Sequence, residues 1–508
     1  MATPVPTRFL RAPPFPWLAS PVVLEADDVD AGPVDLAAAS EALRRARVGG
    51  AFWAAPSSAG GEGDPWTAAE GAAEVRAEAD DPLALVAHLL GRRVLTTGGT
   101  ARSAAEMDDA LRRSLEGRAW IDPFTGAPTT LLATIELLGD WRRALDANRR
   151  IGVAAGMTAW KRDAVARFLW DGRSSPPFRS PADAIAAGRA TGRAVACWPS
   201  RVGEDMEARA RAAGVPIAWV EDGFLRSNGL GADLRAPGSI AVDFSGLHFD
   251  PAGPSDLETL LATHPFSPAL LRRARALRER IVAGRIGKYG VSRGEPPALP
   301  QGRRIALAIG QVSDDLSVRR AGAGVPDDLA LLERVRGLEP DAFLVYRPHP
   351  DVVAGHREGR VDDARVRRWA DRVEADGDLL SLVERADAVH VLSSLTGFEA
   401  LMRGREVVVH GLPFYAGWGL TRDLATPPAR RGRKLELDAL VAAALILYPR
   451  YLDPVTQLPC PPELLVERIA AGQAAGHSWL VGLRRAQGRL RRGLAKARAT
   501  MLTGRRAR

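Results

Sequence analysis

Residues 386–420 read ADAVHVLSSLTGFEALMRGREVVVHGLPFYAGWGL, and this stretch decides the fold. An apolar run at 388–392 breaks at Ser393-Ser394 and gives way to a helical pattern carrying Phe398, Leu401 and Met402. A second apolar run follows at 407–409 after one short turn. The pattern predicts strand, helix, strand, with two hydroxyls at the strand-to-helix turn. A helix N-terminus presents free N–H groups and a partial positive charge, which suits a phosphate. Ser393 and Ser394 add two hydroxyl donors, although Ser394 in that position is equally an ordinary N-cap.

The same alternation extends in both directions. Upstream, strands are predicted at 151–155, 194–198 and 217–220, with helices at 163–169, 181–191 and 206–213. A helix at 272–283 precedes SRGEPPALPQG (292–302), the best linker in the chain. A second series then supplies strands at 305–309, 342–346, 388–392 and 407–409. Strands separated by helical segments imply parallel sheets with crossover helices, hence an α/β fold of two Rossmann-like lobes. A ligand cleft is expected between them, at the carboxyl ends of the strands. The domain boundaries follow as 1–110, without recognisable chemistry; 111–295, the first lobe with leading helices; 300–435, the second lobe; and 436–508, C-terminal helices and a basic tail. Within 1–110 the helical pieces are 36–48 and 67–79, and residues 111–150 read as helix, the turn IDPFTGAP, and helix.

The chain has 508 residues, too many for one ordinary core, and 46% of them are apolar, which excludes wholesale disorder. Net charge is +8, and residues 484–508 hold ten Lys and Arg with no Asp or Glu. On a helix-compatible background such a tail suits an anionic lipid surface. Two distant cysteines, Cys197 and Cys460, provide neither a disulfide framework nor a metal cluster. MATPVPTRFLRAPPFPW lacks a secretory apolar core, and no apolar run reaches the ~18 residues that span a bilayer. A cytoplasmic protein, free or docked at the inner membrane face, is expected. Nucleic acid is not an expected partner, because the charge is terminal and no aromatic–basic interleaving occurs.

Polar groups gather at four predicted strand ends. Glu221-Asp222-Gly223 ends IAWV and leads into FLRSNGLGADL; Gln311 and Asp314-Asp315 follow IALAIG; Arg347-Pro348-His349-Pro350 ends AFLVY; Ser393-Ser394 ends AVHVL. Arg347, His349 and the serines are phosphate binders without metal-ligand spacing. Glu221, Asp222, Asp314 and Asp315 are carboxylates suited to acid/base or nucleophilic work at a sugar carbon. Glu399, one helical turn beyond the serines, could accept hydrogen bonds from ribose hydroxyls. Arg226, Tyr415 and Trp418 are candidates for contact with an acceptor sugar. His390 and His410 read as core histidines.

EDGFLRSNGLGADL, GQVSDDLSV, FLVYRPHPDVVAG, HVLSSLTGFEALMRG and GLPFYAGWGLT together resemble the capsular polysaccharide β-Kdo transferases, which are sialyltransferase-like enzymes of GT-B fold. The likeness runs from about residue 122 to 462 and includes DPFTGAP, DANRRIGVAAGMTAWKR and ILYPRYLDP. It implies a CMP-β-Kdo donor between the lobes, with His349, Ser393 and Ser394 on its phosphate and Glu399 on its ribose; Arg347 and Pro350 complete the candidate donor site. It implies retention of configuration without a metal or other cofactor. Asp315 of the Gln311-x-x-x-Asp315 motif would be the nucleophile and Glu221 the acid/base, with Asp222 in support. The residues themselves do not choose between Asp314 and Asp315. The acceptor implied is a phospholipid-linked Kdo chain. Many relatives carry two catalytic modules, whereas one full motif set occurs here, so one linkage type or a partner capsule enzyme is expected. An inverting transferase for another CMP-nonulosonic acid, and a non-enzymatic capsule-assembly protein, are the competing readings.

Overall fold

The computed structural model describes residues 8–26, 33–55, 63–226, 236–288, 290–292, 294, 298–353 and 362–473. Two large sheets organise them. The second in chain order is wholly parallel, ordered Arg372–Val373, Phe343–Arg347, Ile305–Ile309, Ala388–Val391, Glu406–Val409, Arg422–Asp423. Its central strands, IALAI and AVHV, are buried at every position, as continuous apolar runs covered on both faces should be. Ile305 registers with Phe343 on one side and Ala306 with Ala388 on the other, so Gly310, His349 and Ser393 follow neighbouring strands on the same edge.

The first sheet has seven strands, ordered Pro459–Cys460, Pro449–Leu452, Ser239–Asp243, Ile217–Asp222, Ala194–Cys197, Ile151–Ala155, Phe178–Arg179. From Ile217–Asp222 to Phe178–Arg179 the pairing is parallel, and the remaining strands pair antiparallel. Two of these strands come from beyond residue 436. The expected C-terminal unit 436–508 is therefore corrected: the chain crosses back and completes the first sheet. A single apolar cluster runs from Phe224 and Leu257 through Ile305 and Val389 to Leu440 and Ile469, tying both sheets to the C-terminal helices.

Residues 1–110, expected to lack definition, are corrected as well. Their described part folds with 111–148 around Phe52, Trp66, Leu85, Leu111 and Trp141, all buried. The helix expected over 67–79 stops early: Asp64 caps Pro65–Glu70, and Glu74–Arg76 is a strand paired parallel with Arg93–Leu95. Trp141 donates its indole N–H to the Pro459 carbonyl at 2.7 Å and Trp17 to that of Gln457 at 2.9 Å, which joins this unit to the returning strands. The basic tail, 484–508, lies outside the described residues, and so does its expected role at a membrane. No described helix is long and apolar enough to cross a membrane.

Asp64 and Arg142 form a two-bond ion pair, 2.9 and 2.6 Å, inside this N-terminal core. Their side chains are 1% and 5% exposed. Removing Arg142 leaves the Asp64 carboxylate buried with only the Trp66 N–H and the Thr67 hydroxyl as donors and no counter-charge in its place, a loss of about 3–5 kcal/mol. Arg142→Ala is expected to lower the urea midpoint accordingly. A change below ~1 kcal/mol would show that water reaches the pair.

Candidate active site

The strand ends of the two sheets open onto one cavity of ≈ 1060 Å³. Glu221, Asp222, Gln311, Asp314, Asp315, Arg347, His349, Pro350, Ser393, Ser394 and Glu399 all line it. Phe224 and Phe414, one from each side, stack at 4.6 Å beneath it.

The phosphate-type groups sit on the second sheet. Gln311 bridges two neighbouring strand ends: its Oε1 accepts from the Ser393 N–H at 2.8 Å, and its Nε2 donates to Ser393 Oγ at 3.1 Å. Its own N–H donates to Asp328 at 3.0 Å, whose other oxygen accepts from the Tyr346 hydroxyl at 2.6 Å. Gln311 thus holds the serine loop in place through both ends of its amide. Ser394 caps Leu395–Met402, accepting from the Thr396 N–H at 3.2 Å. Arg347 is anchored by a 2.8 Å bond to the Glu374 carbonyl, and His349 opens the short helix Pro350–Val353. Glu399 is buried, with Oε1 accepting the Lys288 N–H at 2.8 Å; burial raises its pKa.

The carboxylates divide by what holds them. Asp222 lies between two cations, Lys161 Nζ at 2.9 Å and Arg226 Nε at 3.0 Å. Lys161 in turn sits 3.5 Å from the Trp198 ring centroid, and burial lowers its pKa. Glu221, on the same strand, has its pKa raised to about 8, first by desolvation and then by the Asp222 charge, with Asp315 adding to the repulsion. Gly223 follows because its backbone passes so near Ser239 that a Cβ would lie 2.1 Å from that hydroxyl. Asp315 caps Leu316–Ala321; Ser317 donates its N–H at 2.9 Å and its hydroxyl at 2.7 Å, both to Oδ1. Asp314 is exposed, whereas Asp315 is half-buried.

The three acceptor candidates are corrected. Tyr415 and Trp418 are fully buried; Tyr415 donates to the Ser394 carbonyl at 2.5 Å and Trp418 to that of Phe414 at 2.8 Å. Gly397 leaves room for the Tyr415 ring, since a Cβ there would lie 2.3 Å from its hydroxyl. Neither ring offers a face to a sugar. Arg226 is also buried and pairs with Asp222. His390 and His410 are core residues, Nδ1 to Nε2 3.1 Å apart. Lys161, Trp198, Arg201, Trp219 and His248 line the cavity without having been singled out from the sequence. Trp219 lies in a first-sheet strand and Trp198 directly after one, while Lys161 and Arg201 lie in the helices that follow Ile151–Ala155 and Ala194–Cys197, a placement the strand-end rule could have used. His248 packs edge-on to Phe224 at 5.2 Å, and burial lowers its pKa to about 4. No group of three or more His, Cys, Asp or Glu side chains suited to a metal ion occurs among the described residues.

The family described as capsule polysaccharide biosynthesis protein matches residues 193–276 and 267–451. The capsule polysaccharide modification protein LipA of Neisseria meningitidis serogroup A is 37% identical over 346 residues, which is 67% of this chain and 48% of LipA. The chain thus spans about half the length of that relative. The lipopolysaccharide-processing protein LpsZ of Rhizobium meliloti is 38% identical over 324 residues, 62% of this chain and 73% of LpsZ. Two solved structures of Thermosulfurimonas dismutans KpsC are similar. Its beta Kdo 2,4 transferase shares 30% identity at TM-score 0.54, covering 63% of this chain and 98% of that one. Its beta Kdo 2,7 transferase shares 29% identity at TM-score 0.53, covering 63% and 99%.

Proposed function

The chain belongs to the capsule polysaccharide biosynthesis protein family, and from that premise we propose that it is a retaining β-Kdo transferase of GT-B architecture using CMP-β-Kdo. The observation that carries this reading is one cavity lined by phosphate-type groups on one side and by Glu221 and Asp315 as well. Likeness to Kdo transferases over 63% of the chain supports the sugar.

In this reading the donor phosphate lies against Arg347, His349 and the Ser393-Ser394 turn, where a helix N-terminus and fixed donors counter its charge without a metal ion. Glu399 takes the ribose. Asp315 attacks the anomeric carbon as the bond to the phosphate oxygen breaks; CMP leaves with that electron pair and takes the Glu221 proton. An acceptor hydroxyl then loses its proton to Glu221, and its oxygen displaces Asp315. Two inversions give retention. Asp222, held by Lys161 and Arg226, positions the strand end, and its charge favours the protonated form of Glu221. The acceptor is a Kdo-terminated phospholipid approached at the inner membrane surface, with one linkage formed by this module.

Incubation with CMP-Kdo and a synthetic Kdo-terminated lipid, followed by NMR of the product, tests the assignment. One new β-linkage is expected; an α-linkage would select the inverting alternative, and no transfer would remove the enzyme. His349→Ala is expected to weaken CMP binding by about 10- to 100-fold in calorimetry, the worth of one charge-assisted contact. Unchanged CMP affinity would take His349 off the phosphate.

A further inference from the structure

On the first-sheet side, nearly every charge lining the cavity is already answered. Asp222 pairs with Lys161 and Arg226. Glu204 pairs with Arg319 at 2.8 Å and Glu207 with Arg211 at 2.7 Å. Arg201 differs. It is exposed, lines the cavity from the short helix Pro199–Val202 after the buried Trp198, and its guanidinium has no hydrogen-bond or ion-pair partner among the described residues. Ser200 beside it is likewise exposed.

The strand Ile217–Asp222 supplies the second half. Its burial alternates, and Trp219 and Glu221 are both half-buried and line the cavity. Residues two apart on a strand share a face and lie about 7 Å apart, so the indole stands one pyranose ring away from Glu221. An aromatic face of this kind accepts the apolar face of a sugar, and a free guanidinium accepts a carboxylate in a two-bond fork.

We propose that Arg201 and Trp219 form the acceptor subsite, Trp219 carrying the terminal sugar and Arg201 reading its carboxylate. The subsite rests on the transferase reading above and names the side chains that would hold the terminal sugar acid of its acceptor. It also supplies what Tyr415, Trp418 and Arg226 do not, an accessible aromatic ring and an unpaired cation.

The test uses the full chain, CMP-Kdo, and two synthetic acceptors, one ending in a sugar acid and one with that carboxylate reduced to the alcohol. The wild type is expected to show an acceptor KM about 10- to 100-fold lower for the acid. Arg201→Ala should raise KM for the acid by that factor and abolish the discrimination, while CMP affinity by calorimetry stays unchanged. Arg201→Lys should recover part of it, since an ammonium keeps the charge without the fork. Trp219→Ala should raise KM for both acceptors alike. An Arg201→Ala enzyme that still prefers the acid as strongly as the wild type overturns the subsite while leaving the transferase intact. A wild type that transfers to neither acceptor overturns the transferase reading itself.

Discussion

Asp315→Asn is expected to lower kcat for sugar transfer by about 10⁴-fold or more, because an amide cannot form the glycosyl ester that double displacement requires. Asn is the informative substitution. Asp315 also caps Leu316–Ala321 through Oδ1, and Asn caps a helix nearly as well, so folding should be preserved. Asp315→Ala would add a cap loss of about 1 kcal/mol to the same catalytic loss. Asp314→Asn serves as the comparison: that side chain is exposed, and most activity should survive. Steady-state rates with circular dichroism on each variant decide the matter. Wild-type turnover in Asp315→Asn would remove the nucleophile assignment, and a dead Asp314→Asn beside an active Asp315→Asn would exchange the two aspartates.

The second large effect belongs to Glu221. Desolvation and the neighbouring Asp222 charge hold its proton to about pH 8, so at neutral pH it is ready to act as an acid. A group that must begin each cycle protonated loses function as pH rises through its pKa. The rate of the first step should therefore fall above about pH 8 in the wild type. Glu221→Gln should reduce kcat by about 10²- to 10⁴-fold and remove that limb of the profile. Lys161 opposes the shift through its charge, so Lys161→Met should move the limb to higher pH. A profile in Glu221→Gln that still bends near 8 would assign the titration to another group.

Much of this arrangement was legible in the chain because buried parallel strands are written as short apolar runs. IALAI, FLVY, AVHV and EVVV each sit between helical patterns and end in polar residues. The strand ends then gave the cavity its Glu221, Asp315, His349 and Ser393. What escaped was long-range. Pro449–Leu452 carries a proline and an arginine and gains its strand character by pairing with Ser239–Asp243, about two hundred residues earlier. Nor does the string PFYAGWG reveal which rings turn inward. Gly397 was the available signal: a glycine inside an otherwise strong helical pattern often marks a close approach, here the Tyr415 ring. Lys161 and Arg201 were within reach of the strand-end rule, since Ile151–Ala155 and Ala194–Cys197 are parallel strands like the rest. Carboxylates drew attention on that sheet, and the cations that hold or complement them did not.

At the centre of the account is a sugar carried by Asp315 between two displacements. Mixed with CMP-Kdo and no acceptor, the wild type has no hydroxyl for the second displacement and should accumulate that species. Intact-protein mass spectrometry is expected to show a gain of one sugar residue, and peptide mapping should place it on Asp315. An adduct on any other residue, or a wild-type product of inverted anomeric configuration, would contradict the mechanism.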